Sequence, residues 1–343
     1  MFIYKKESIF SPLEVNNALP ANITDADLYL FKDDVVKSFP EVSLNFVKNI
    51  SVTPHGILFN KFKILDQFLI WQEHKNEFNF FYLLRNYFNR KKLETKSTDK
   101  FLICFDYWSL GYFHWMCDFL PRLIAAEKYL NDYTLVLPNN HAHSFVEDSL
   151  KVFGVKNVLR FSDKEYVTCS DALIPDYVSN SGDNNPFVMT KLRQKFIDFY
   201  TPRVDHINYA KHIYVSRARA KGRYIENETE VIKMLESLGY KTIYFEEYSL
   251  KEQISIAFNC KNLIGLHGAN LTNLIFMNPN ANILELRKEN DRRNNYYFSL
   301  ASSFHLNYFY LQCRATETSN SQTFNLNVDI TSLKKIAERM LND

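Results

Sequence analysis

Residues 263–273, LIGLHGANLTN, decide the fold. Leu263 to Leu266 form a short apolar run that reads as a buried strand. Gly265 and Gly268 bracket His267 in a glycine turn, and the residues up to about Phe276 read as the helix that follows. Past Pro279 a new strand is predicted over residues 282–286, ending in ILEL. Strand, turn, helix and strand make the repeating unit of a parallel sheet. The chain has only eight glycines, and two of them flank one histidine, so the backbone there is expected to come close to something. A helix start offers unpaired N–H groups and a partial positive charge, which suit phosphate at the carboxyl end of a parallel strand. An ordinary strand-to-helix turn, with glycine used for geometry alone, fits the same residues.

Outward from this stretch the alternation continues. Upstream, residues 212–216 (HIYVS) and 241–245 read as strands, Asn227 with Glu230 and Ser249 with Glu252 read as helix caps, and a helix is predicted near 296–304, a strand over 307–312 and a last helix over 330–341. Before a polar break at 201–210 lies an earlier alternation, with strands at 101–106, 134–138, 158–161 and 167–175 and helices at 114–130, 141–153 and 187–200. Residues 1–60 read as mixed short strands, and 62–92 as helical and aromatic. Two such runs imply two Rossmann-like domains, 1–204 and 205–343, whose shared cleft is the expected ligand site. The last helix is left free to pack back on the first domain.

Composition excludes several classes. A net charge of +2 over 343 residues argues against a nucleic-acid binder. The five cysteines are scattered without a CxxC or Cys/His cluster, which argues against structural zinc and for reduced, buried thiols. The first residues, MFIYKKESIF, lack a continuous apolar core and a cleavage site, so no secretory signal is read and a cytoplasmic location is expected. No GxGxxG occurs, which weighs against a dinucleotide oxidoreductase. Asp25-Ala26-Asp27 matches the DxD of metal-dependent sugar transferases, but the apolar run follows rather than precedes it, so it reads as a turn or helix cap.

Three constellations carry chemistry. In HWMCDFLPRL, His114, Asp118 and Arg122 stand at i, i+4 and i+8, one stripe about 12 Å long on a regular helix. Their neighbours are apolar, so the stripe needs internal partners or a cleft. A structural triad with Asp118 bridging the other two fits equally, and Pro121 threatens the line by kinking the helix. Second, Arg217, Arg219, Lys221 and Arg223 follow the strand HIYVS, where guanidinium groups suit an anion; alone the run reads as a solvated basic loop, but with the HGAN turn at the same sheet edge phosphate is favoured. Third, Glu285 ends a strand beyond the glycine turn, a place that suits ribose hydroxyls as well as a surface carboxylate. Residues 78–92, FNFFYLLRNYFNRKK, join aromatics to a basic tail; core packing with a basic end is preferred to a membrane-surface element.

Taken together, HWMCDFLPRL, YVSRARAKGR, residues 245–279 (FEEYSLKEQISIAFNCKNLIGLHGANLTNLIFMNP) and ILEL resemble, in order, the blocks of glycosyltransferase family 61. Asn270 departs from the glycine common in relatives. The resemblance implies a GT-B fold, a nucleotide-sugar donor (usually a UDP-sugar), a glycan or lipid-linked oligosaccharide acceptor, and inversion at the anomeric carbon with no cofactor and no essential metal. A bacterial member serving capsule or lipopolysaccharide assembly is expected, with peripheral contact to the inner membrane left open. By position it puts Arg217, Arg219, Arg223, His267, Gly268, Ala269, Asn270, Thr272 and Asn273 at the donor phosphates, Glu285 at the ribose, and His114, Asp118 and Arg122 at the catalytic centre. Asp118 is the expected base, with His114 orienting it and standing as the second candidate. A nucleotide-sugar epimerase or hydrolase, and a noncatalytic sugar-nucleotide-binding subunit, are the alternatives.

Overall fold

The structure, a computed structural model, describes residues 3–200, 210–219, 222–318 and 324–342. The fold is mixed α/β with parallel sheets. The chain forms two compact units, one of Met1–Leu13 and Ser38–Ser181, the other of Glu14–Lys37 and Gly182–Asp343. The boundary expected at 204/205 lies outside the described residues; the chain divides at 181/182 instead. Residues 14–37 join the second unit because Asn22 pairs twice with the backbone of Tyr310, and Asp27 accepts from Tyr310 Oη (2.7 Å) and Gln312 Nε2 (3.0 Å). Asp25 and Asp27 lie in the first turn of a 3-10 helix, Asp25–Leu30, whose N-cap is Thr24 with no side-chain cap bond.

The first unit is built on a mixed sheet. Val158–Phe161, Thr134–Pro138, Lys100–Leu102 and Glu165–Pro175 run parallel in that order. Beyond Glu165–Pro175 the sheet turns antiparallel, through the long strand Val42–Val52 to Leu58–Asn60 and Lys63–Ile64. Only half of this sheet is therefore Rossmann-like. The rest comes from the amino-terminal residues, where Val42–Val52 sits between neighbours on both sides and is buried on both faces over its first half.

The second unit is a doubly wound sheet in the order Lys241–Ile243, His212–Val215, Asn262–Leu266, Asn282–Lys288, Asn307–Thr318, Phe324–Asn327. The first five strands are parallel and the last is antiparallel. One face packs on the helices Glu228–Ser237 and Ile330–Asn342 through Val231, Leu235, Leu333, Ala337 and Met340. The last helix thus belongs to the second unit's own core. Chain order reverses between His212–Val215 and Asn262–Leu266, and in open α/β sheets ligands bind outside the carboxyl ends of the strands at that reversal.

Candidate active site

Both expected anion-binding segments come to that reversal. Register places Val215 beside Gly265, so Arg217 and His267 leave the sheet edge side by side. Gly268 adopts φ 155° and ψ 173°, a backbone that residues with side chains rarely take. A Cβ on Gly268 would stand 2.1 Å from Arg217 Nη1, so the missing side chain is what lets the guanidinium lie on the turn. Gly265 has a different role: a Cβ there would meet Leu271 at 2.8 Å, so it brings the following helix close to its strand.

Arg217 is only 8% exposed, and its Nε has no partner among the described residues. Burial, with the charge of Arg223 added, holds its pKa below the ordinary arginine value. No carboxylate of a described residue stands within ion-pair distance of it. A buried cation so placed is stable when an anion shares the site.

His267 is backed by a buried chain of polar groups. Its Nδ1 pairs with Glu285 Oε1, Tyr308 Oη donates to Glu285 Oε2, and Arg287 Nη1 donates to Tyr308 Oη at 3.3 Å. Burial alone would raise the Glu285 carboxyl, but His267, Arg287 and the Tyr308 hydroxyl hold it below the ordinary range. A carboxylate kept ionised fixes the His267 proton on Nδ1 and leaves Nε2 as the unused nitrogen. Glu285 is fully buried with both oxygens engaged, so the ribose role expected for it is corrected: it positions His267.

The remaining donor-side residues divide. Ala269 and Asn270 open the 3-10 helix Ala269–Phe276, so their amides precede its first internal bond, Leu271 N–H to Gly268 O. The Asn270 side chain donates to Glu246 at 3.3 Å. Thr272 and Asn273 are fully buried; Asn273 donates to Gln253 at 3.0 Å, and Thr272 Oγ1 has no partner among the described residues. Arg219 is corrected too: it pairs with Glu247 and stacks 4.2 Å over Tyr244. Arg223 is half-buried, which lowers its pKa; it feels the charges of Glu285 and Asp291 and repels Arg217. Lys221 lies outside the described residues.

In the first unit the expected stripe is broken by helix geometry. The helix runs as an α-turn Tyr112–His114, a π segment Trp115–Phe119 and an α-helix Leu120–Ala125. Pro121 has no N–H to give to Cys117, and a π-turn absorbs that loss. His114 and Asp118 still meet, Nδ1 to Oδ2 at 2.6 Å, and Ser181 Oγ donates to the same oxygen at 2.8 Å. Arg122 is turned away. Its Nε and Nη2 donate to Pro175 O, its Nη1 to Cys104 O, and it lies 4.3 Å over Tyr177. It ties the helix to the carboxyl ends of two strands, so the catalytic role expected for it is corrected to a structural one. Burial pushes the Asp118 carboxyl up, partly countered by His114 and Ser181. The Asp118 side chain is 2% exposed and that of His114 20%, so His114 is the open member of the pair. Ser181, Tyr308 and Arg287 carried no signal in the sequence, because each works through a partner distant in the chain or on a neighbouring strand.

The second unit is a doubly wound sheet with a buried arginine at its reversal, and the first unit carries a histidine–carboxylate pair, features of an α/β enzyme. The model of the glycosyltransferase 61 family matches residues 112–284, about half of the chain, and the chain belongs to that family. Over 202 residues it is 27% identical to the EGF domain-specific O-linked N-acetylglucosamine transferase of Drosophila melanogaster, a match that covers 51% of this chain and 38% of that protein. That family is one of glycosyltransferases, and the match spans well under half of the relative's length. The epimerase, hydrolase and noncatalytic alternatives give way to this assignment. The expected cytoplasmic location is also corrected. The relative is named for EGF domains, which are disulfide-dense modules of secreted proteins, and this points away from the cytoplasm.

Proposed function

We propose that the second unit holds a nucleotide-diphosphate sugar, UDP being the first candidate nucleotide, and that the first unit supplies the base for an inverting transfer. The observation that carries this reading is Arg217, buried with no carboxylate of a described residue at ion-pair distance and laid against the backbone of Gly268 at the sheet's reversal. Its guanidinium and the Ala269 and Asn270 amides would face the diphosphate, with Arg223 and His267 Nε2 beside them. The acceptor is proposed as a hydroxyl of a glycan or of a lipid-linked glycan of a surface polysaccharide. The two units are proposed to work as the two halves of a GT-B enzyme.

The roles in the first unit are reversed from the expectation. With Nδ1 donating to Asp118, His114 has its Nε2 lone pair on the more open side, so His114 is the base and Asp118 positions it. In a single displacement the acceptor oxygen bonds to the anomeric carbon and its proton passes to His114 Nε2. The bond to the diphosphate oxygen breaks, and the charge left there is met by Arg217 and the amides. Such fixed donors serve where other transferases use a metal, so transfer should survive chelation. Product stereochemistry read by NMR, with and without EDTA, tests both points. A retained anomeric configuration would overturn inversion, and loss of transfer restored by a divalent metal would overturn metal independence.

A further inference from the structure

Phe68 and Phe78 of the aromatic segment after residue 60 are buried, but several of its other rings are not. The helix Phe80–Asn89 turns only Leu83 and Asn86 fully inward, with Tyr82 beside them. Phe80, Phe81, Tyr87 and Phe88 face outward, and with Phe62 they are 48% to 79% exposed. Phe62 lies 6.1 Å from Phe80 and 5.7 Å from Tyr87 between ring centres, so the rings form one patch. The helix is fixed in place. Asn79 Oδ1 caps the amides of Phe81 and Tyr82, and Arg90 Nε donates to Asp163 O at 2.7 Å. On the inner side, the Tyr82 hydroxyl stands 2.9 Å from His55 Nδ1. The exposure is thus a property of an anchored element, and exposed apolar patches of this kind mark interaction surfaces.

Charge says what the surface meets. Lys61, Lys63, Arg85, Lys91 and Lys92 are exposed along the same segment. Among the described side chains there, Glu94 pairs with Lys92 at 2.8 Å and Asp66 with Lys75 at 2.9 Å, so Glu77 stands against Lys61, Lys63, Arg85 and Lys91. Aromatic rings settle at the boundary of headgroups and acyl chains, and ammonium and guanidinium groups meet lipid phosphates. No helix among the described residues is long and apolar enough to cross a membrane.

We propose that this face docks the first unit on an anionic lipid surface, with the five rings at headgroup depth and the basic side chains on the phosphates. The experiment is flotation of the full chain with vesicles of phosphatidylcholine alone and of phosphatidylcholine with phosphatidylserine. The chain should float with the second and not the first. Phe81→Ser with Phe88→Ser should lower the bound fraction about tenfold or more, since each ring loses its buried area. Lys61→Ser with Lys63→Ser should lower it too, and added salt should weaken binding. All variants should keep the parent melting temperature and affinity for UDP. Failure to bind the anionic vesicles, equal binding to neutral ones, or undiminished binding by the ring variant would each overturn the proposal. A dimer that the ring variant splits, without vesicle binding, would overturn it in favour of a second copy of the chain.

Discussion

Arg217 lies directly on the turn at Gly268, and each explains the other. Ala at 268 would put a methyl group where Arg217 Nη1 lies, and would also strain the backbone. Gly268→Ala should therefore lower UDP affinity by about tenfold or more, the loss of one charged contact, with the chain still folded by thermal melt. In the first unit, Asp118→Asn should lower transfer about a hundredfold or more by disturbing the His114 tautomer, while donor affinity stays unchanged. Retained activity would remove Asp118 from its positioning role. The site was half legible in the residues. Two glycines around a histidine, and arginines after a strand, are local signals, and the fold brings them together. Which side of the short helix faces inward is not local, so the full burial of Thr272 and Asn273 is not legible in the sequence. Glu285 was read as a ribose ligand because Tyr308, which helps bury it, stands on a strand 23 positions further on.

At the scale of elements, local capping chemistry was readable only where it stayed local. Ser249 and Glu252 form the capping box that their spacing predicts. Asn227 and Glu230 do not, because the Asn227 side chain pairs instead with the backbone of Val328, and no sequence window shows that competitor. The helix predicted at 114–130, with Pro121 as a threat to its stripe, runs α, π, α over 112–125, which separates Arg122 from the pair it was expected to join. The turn leading into the helix Ser144–Val152 carries an acid-sensitive group. His141 is 1% exposed, its Nε2 has no partner among the described residues, and burial pushes its pKa down from 6.5 to about 4. It is neutral in the fold, while the unfolded chain takes up the proton first. Stability should therefore fall as pH drops from 6.5 towards 4, by on the order of 3 kcal/mol from this residue alone. Urea unfolding across that range should show the slope, and His141→Phe should flatten it. An unchanged slope would assign the acid sensitivity elsewhere.

For the whole molecule, the strand-helix alternation was enough to predict an α/β chain with parallel strands, and the second unit matches it nearly strand for strand. The first unit departs where long-range pairing decides. Val42–Val52 becomes central because Glu165–Pro175 and Ile3–Phe10 flank it, and that arrangement has no counterpart in a local apolar pattern. The excursion of residues 14–37 into the second unit is likewise settled by contacts some 280 residues away in sequence. If the second unit is built to hold a diphosphate, nucleotide should stabilise the folded chain. Saturation at a hundred times Kd adds about 2.7 kcal/mol, a rise in melting temperature of a few degrees. The most direct measurement is calorimetric titration of UDP into the parent chain and into Arg217→Ala. Saturable binding by the parent, weakened about tenfold or more in the variant, is the expected result. Equal affinity in the two, with both folded, would contradict the account.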